Sequence, residues 1–169
     1  MNTKKTVILG IDPGYDRVGW SIGVKEKNTY SCTALGCIQT NKAESIFKRY
    51  QAIQADLTEI IAYFSPTQVA IETLFFSKNK KTALRVSEAR GVIIGVCLDK
   101  NMEVFEYSPV EIKLSVTGNG AANKEEVEKM VRMQIKGQVN AFIDDAIDAV
   151  AIGLTHAFHT KLNFNTSRT

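Results

Sequence analysis

Two short apolar runs in this chain each end on a lone carboxylate. Val7-Ile8-Leu9-Gly10-Ile11 closes on Asp12, and Val69-Ala70-Ile71 closes on Glu72. Runs this brief, bounded by turn residues and rich in β-branched side chains, read as buried strands. A carboxylate at the end of such a strand is badly placed to be ordinary surface charge, because the carboxyl ends of parallel strands open into a crevice. Pro13-Gly14 then bends the chain sharply and leaves room beside Asp12. The chain is thereby constrained to a sheet that brings two acids to one cleft.

The remaining pattern supplies the rest of that sheet. Alternation resumes from Trp20 to Val24 after a turn, and a third strand is expected over 29–39, so the opening is an antiparallel meander. From 43 to 64, Ile46, Tyr50, Ile53, Leu57, Ile60 and Ile61 recur at helical spacing until Ser65-Pro66 stops them. A brief strand over 68–71 leads into Glu72, followed by a helix over 80–98 and a strand over 103–107. Helices over 109–116, from the Gly-rich loop 117–123 to 135, and over 144–158 complete the order βββαβαβααα. The later strands need helical crossovers, which makes this an α/β chain: a mixed five-stranded sheet with an antiparallel β1–β3 meander and then parallel strands, flanked by helices. At 169 residues there is material for one well-buried core, expected over 1–160, with 161–169 as a tail.

The first residues are basic, but the apolar run behind them is too short for a signal peptide, and no run of about 18 apolar residues suggests a membrane span. Cys32, Cys37 and Cys97 cannot all pair with one another and lack zinc-site spacing, which suits reduced thiols and a cytoplasmic protein. The formal charge is only +3, yet setting Asp12, Glu72, Asp145 and Asp148 aside leaves 14 acids against 21 bases. That excess suits a polyanion such as DNA, and solvated lysines would account for it equally well.

Asp145 and Asp148 lie three apart, so a helix puts them on one face. Ala146, Ile147, Ala149, Val150, Ala151, Ile152 and Leu154 make the rest of that helix strongly apolar, and isolated carboxylates against a core are costly. Helix capping accounts for Asp144 and competes evenly for Asp145 and Asp148, but it explains neither Asp12 nor Glu72. Hard divalent cations explain all four. Mg²⁺ or Mn²⁺ takes oxygen ligands from several elements, and two such ions about 3.5 to 4 Å apart can activate an attacking water and stabilise a leaving oxygen.

Four collinear segments carry a resemblance that spans nearly the whole chain. They are Ile8-Leu9-Gly10-Ile11-Asp12-Pro13-Gly14; Ala70-Ile71-Glu72 with Phe75 and Lys78-Asn79; Glu88-Ala89-Arg90-Gly91-Val92; and 145–152, from Asp145 to Ile152. In order and spacing they resemble the RuvC family of Holliday-junction resolvases. The resemblance implies an RNase H-like fold and a homodimer that cuts four-way DNA junctions in recombination and repair by paired symmetric nicks. It implies two Mg²⁺ per site, replaceable by Mn²⁺, and association with a branch-migration helicase complex.

The same resemblance makes Asp12, Glu72, Asp145 and Asp148 metal ligands and adds Lys113 and Lys124 near the scissile phosphate, with Lys124 also catalytic. Solvated helix lysines are the alternative. Phe75 matches an aromatic that stacks on junction bases, and either Phe75 or Phe76 could be the one that points outward. Lys78, Lys80, Lys81 and Arg85 could track phosphates, or form a solvated helix end. Gly91 and Gly95 lie four apart in the helix that resembles the dimer helix, and could equally pack on the chain's own sheet. The chain departs from the pattern at Thr73 and at Glu125-Glu126-Val127, where glutamines are frequent. His156 and His159 lack further soft ligands, so metal binding there is not expected. Alternative readings are a non-catalytic junction-binding protein, or a nuclease of the same fold acting on another branched or hybrid substrate.

Overall fold

A computed structural model of the chain describes residues 5–74, 80–135 and 144–159. The element order is the one expected: β1 (Thr6–Asp12), β2 (Arg17–Glu26), β3 (Thr29–Gln39), α1 (Ile46–Phe64), β4 (Gln68–Glu72), α2 (Lys80–Asp99), β5 (Glu103–Tyr107), α3 (Pro109–Thr117), α4 (Lys124–Gln134) and α5 (Asp144–His159). The strands form one sheet in the order β3-β2-β1-β4-β5. β1 pairs antiparallel with β2, β2 antiparallel with β3, and β1, β4 and β5 run parallel. β2 is longer than its apolar alternation suggested, because its polar ends are held by pairing, Arg17 against Gln39 and Glu26 against Thr29.

The strand period of two sorts the core into two layers. Leu9, Ile11, Val69 and Ile71 pack beneath α1 and α2, with Ile53, Leu57, Ile93 and Cys97. Ile8 and Ala70 point the other way, against Ile147, Val150 and Ala151 of α5 and the apolar faces of α3 and α4. By the same parity Asp12 and Glu72 follow Ile8 and Ala70, toward α5.

α5 lies unusually close to the sheet. A Cβ at Gly10 would stand 2.2 Å from the Ala149 carbonyl oxygen, and one at Gly19 would stand 1.9 Å from that of Asp145. Ser21 Oγ donates to the Ala149 carbonyl at 2.9 Å, pinning the helix over β2. α2 behaves differently: Gly91 and Gly95 are exposed, and a Cβ at either would meet no atom within 4 Å. Packing of those glycines on the chain's own sheet is therefore not their purpose. Among the described residues, no helix is long and apolar enough to cross a membrane, and all three cysteines are free.

His156, one of the two histidines discounted as metal ligands, is fully buried. Its Nδ1 lies 2.7 Å from Tyr107 Oη and its Nε2 3.0 Å from Gln68 Oε1. Burial pushes its pKa down to about 4, so the ring is a neutral core hydrogen-bonding group.

Candidate active site

Asp12 ends β1 and Glu72 ends the adjacent parallel β4, one residue past the Ile11–Ile71 pair. The loop after Asp12 is anchored by Arg49, a buried α1 residue. Its guanidinium donates to the Tyr15 carbonyl and to Thr40 Oγ1, each at 2.9 Å, and forms an ion pair with Asp16. Glu72 is held from its backbone: Arg90 Nε donates to its carbonyl at 3.1 Å while the same guanidinium grips Glu106 on β5. Thr73 N donates to the Tyr107 carbonyl at 2.9 Å, so the departure at Thr73 falls on a strand-to-strand tie.

Asp145 and Asp148 enter from α5, on the sheet face that Asp12 and Glu72 share. Burial, then the charges of Asp148, Glu72 and Asp145, push Asp12 up to about 8, against the opposing charge of Lys124. Glu72 and Asp148 are also raised, each by burial foremost. Such mutual destabilisation of carboxylates in one cleft calls for a cation.

Two side-chain cations already answer it in part. Lys124 Nζ lies 3.3 Å from Asp148 Oδ2 and 3.6 Å from Asp144 Oδ2, and Arg17 Nη1 lies 3.3 Å from Asp145 Oδ2. Asp144 is the first residue of α5 and faces Lys124. Lys124 itself opens α4 behind Asn123, whose side chain accepts from Glu126 N while Glu126 accepts from Asn123 N. That capping box gives Glu126 a structural role at the helix end, one a glutamine there could fill equally. Glu72, Asp148, Lys113 and Lys124 line a cleft of about 220 Å³ whose floor is Ile112, Val127, Ala151 and Ile152.

The donor set has the chemistry of a hard-cation site, four carboxylates with no soft ligand. Cys37 Sγ stands 3.9 Å from Asp145 Oδ2, but burial and the Asp145 charge raise its pKa, so it remains a thiol. Among the described residues, no three acidic, histidine or cysteine side chains are gathered tightly enough to hold one ion as they stand. Lys124 and Arg17 instead occupy the carboxylates a cation would claim.

Arg85 is paired with Glu88 at 2.8 Å on its own helix. Lys80 and Lys81 open α2; Phe75, Phe76 and Lys78 lie outside the described residues. Sequence reasoning assigned no role to Arg17 or Arg90. For Arg17 the available signal was strand parity, which sets it on the same face of β2 as Gly19 and Ser21.

A mixed sheet with acids at the ends of two central parallel strands, completed by a helix-borne acidic pair across them, defines the RNase H-like class of α/β proteins. The chain belongs to the RuvC family: the model for "Crossover junction endodeoxyribonuclease RuvC" matches residues 8–156. It is 41% identical over 157 residues to the crossover junction endodeoxyribonuclease RuvC of Finegoldia magna, covering 93% of this chain and 96% of that one. The Brachyspira hyodysenteriae protein of the same name is 43% identical over 156 residues, 92% and 96% of the two chains. In three dimensions the chain resembles Thermus thermophilus RuvC in complex with a Holliday junction substrate, with a TM-score of 0.86, 31% identity and coverage of 93% and 96%.

Proposed function

We propose that this protein is a divalent-metal-dependent endonuclease that resolves four-way DNA junctions in recombination and repair by paired symmetric nicks. The observation that carries the reading is one cleft lined by Glu72, Asp148, Lys113 and Lys124, with Asp12 close enough to feel the charges of Glu72, Asp145 and Asp148.

Asp12, Glu72, Asp145 and Asp148 would hold the metal, read as two Mg²⁺ replaceable by Mn²⁺. Bound there, the metal would supply a nucleophile at neutral pH and charge stabilisation of the leaving oxygen. Lys124, released from Asp148, can turn its ammonium to the scissile phosphate and offset charge as it develops. Lys113 lowers the cost of ionising Glu72 and offers a second point charge to the backbone. Phe75 is read as the base-stacking wedge, and Lys78, Lys80, Lys81 and Arg85 as phosphate contacts beside it.

Two nicks need two sites, hence a homodimer. The exposed Gly91 and Gly95, with the exposed Leu84 and Leu98 on the same helix, support α2 as the face a second copy approaches. Residues 1–160 are read as one nuclease domain with 161–169 as a tail, acting in the cytoplasm with a branch-migration helicase complex.

The test is incubation with an end-labelled mobile four-way junction, a linear duplex and an RNA–DNA hybrid, in Mg²⁺, Mn²⁺ or EDTA. Paired, ligatable nicks confined to the junction and absent in EDTA are expected. Binding without cutting in any metal would make this a junction-binding protein, and preference for the hybrid would give it a different substrate.

A further inference from the structure

β2 turns Arg17, Gly19 and Ser21 toward α5. Gly19 meets the Asp145 backbone, Ser21 hydrogen-bonds the Ala149 carbonyl, and Arg17 reaches the Asp145 carboxylate. The other arginines with ion pairs among the described residues have evident structural work. Arg49 anchors the Asp12 loop, Arg90 ties β4 to β5, and Arg85 and Arg132 pair within a helical turn. Arg17 differs. Its ion-pair partner is 128 residues away in sequence and belongs to the acidic cleft.

The pair is poorly suited to holding the fold together. The Arg17 side chain is 56% exposed and Asp145 27%, with one nitrogen on one oxygen at 3.3 Å. An exposed pair of this kind contributes about 0.2–1 kcal/mol and breaks readily. A guanidinium so placed is suited to phosphate, because its planar fork matches two phosphate oxygens and cannot lose its charge. A divalent cation on Asp145 would compete for the charge that now holds Arg17.

We propose that Arg17 is a phosphate-gripping residue of this site, kept at the rim by Asp145 and freed for the DNA backbone when a divalent cation claims that carboxylate. The inference rests on Asp145 being a metal ligand. It makes Arg17 the counterpart, on the β2 side of the cleft, of Lys124 on the α4 side. Ion binding and DNA binding are then coupled through one side chain: the ion that prepares the carboxylates also adds a positive charge to the DNA-facing rim.

The coupling gives Arg17→Gln two signatures. Removing a competing cation should tighten Mn²⁺ binding without DNA by about 1.4- to fivefold, the range an exposed ion pair accounts for. Losing one phosphate contact should flatten the dependence of log KM for the junction on log salt by about 0.9. Arg17→Lys should restore the salt slope, because it keeps the charge.

Mn²⁺ affinity of the protein alone, by paramagnetic resonance titration, and junction KM across a salt series measure the two. Both changes together support the proposal. Unchanged Mn²⁺ affinity, weaker Mn²⁺ binding or an unchanged salt slope overturns it and leaves Arg17 an ordinary surface ion pair. Asp145→Asn, titrated alongside, separates the underlying premise. Mn²⁺ affinity equal to the parent's in that variant would remove Asp145 from the ligand set, and Arg17's role with it.

Discussion

Gly19→Ala is the sharpest test of how this site is assembled, because it adds one methyl where α5 meets the sheet. The new Cβ would lie 1.9 Å from the Asp145 carbonyl oxygen and 2.4 Å from its carbonyl carbon. Ordinary contact begins at 3.4 Å, so the backbone of α5 or β2 must give by about 1.5 Å. Both atoms are backbone, so no rotamer change relieves the clash. Overpacking of this kind costs about 1–3 kcal/mol, or a Tm lower by about 2–12 °C for a chain of this size. Movement of α5 also carries Asp145 and Asp148 away from Asp12, since Gly19 pairs with Asp12 in register. A misplacement of about 1 Å costs on the order of 10²-fold in rate. Single-turnover cleavage of a labelled junction, gel-shift binding in EDTA and a thermal melt report on the three effects. The expected result is a folded, junction-binding protein that cuts about 100-fold more slowly. Cleavage within threefold of the parent at an unchanged Tm would refute the claim that this close approach sets the acid geometry.

Asp12→Asn should abolish cutting while leaving junction binding largely intact, and should raise Tm in EDTA. The sign follows from burial and three neighbouring carboxylates, which make ionised Asp12 unfavourable above its unfolded pKa; a lowered Tm would point to a structural role. Gly91→Ala should stabilise the helix by about 0.5–1 kcal/mol because nothing obstructs the methyl. If α2 is the dimer face, the same change should weaken self-association in sedimentation, and unaltered association would exclude close contact at Gly91. His156 should make the fold acid-sensitive. Its folded pKa is about 4 against an ordinary 6.5, so the unfolded chain binds the proton first, and stability falls as pH drops from 6.5 toward 4, by at most about 3 kcal/mol. Denaturant melts at several pH values should have a flatter profile in His156→Gln; parallel profiles would discount this histidine.

Much of the molecule was legible along the chain because the deciding signals are local. Apolar runs of five or fewer residues ending at Asp12 and Glu72 give both strands and the parity that sends their carboxylates to one face. The three-residue step from Asp145 to Asp148 needs only helical geometry. One helix start shifted where a cap decided it: α1 begins at Ile46, not 43, because the Ser45 side chain caps it. Arg49 reaching Asp16, Arg90 reaching the Glu72 carbonyl and Arg17 reaching Asp145 could not be read in advance, since each joins elements whose separation no local pattern encodes.

The sequence by itself therefore determined which groups are candidates for the chemistry and on which face of strand or helix each must stand, because facing is a property of backbone period. Only the tertiary structure decided how close those groups come and which cations attend them. The reason lies in the packing of α5. Its close approach is permitted by the missing side chains of Gly10 and Gly19, which lie against backbone atoms more than 125 residues away. The pairing of Lys124 with Asp148 and of Arg17 with Asp145 exists only once that helix has docked.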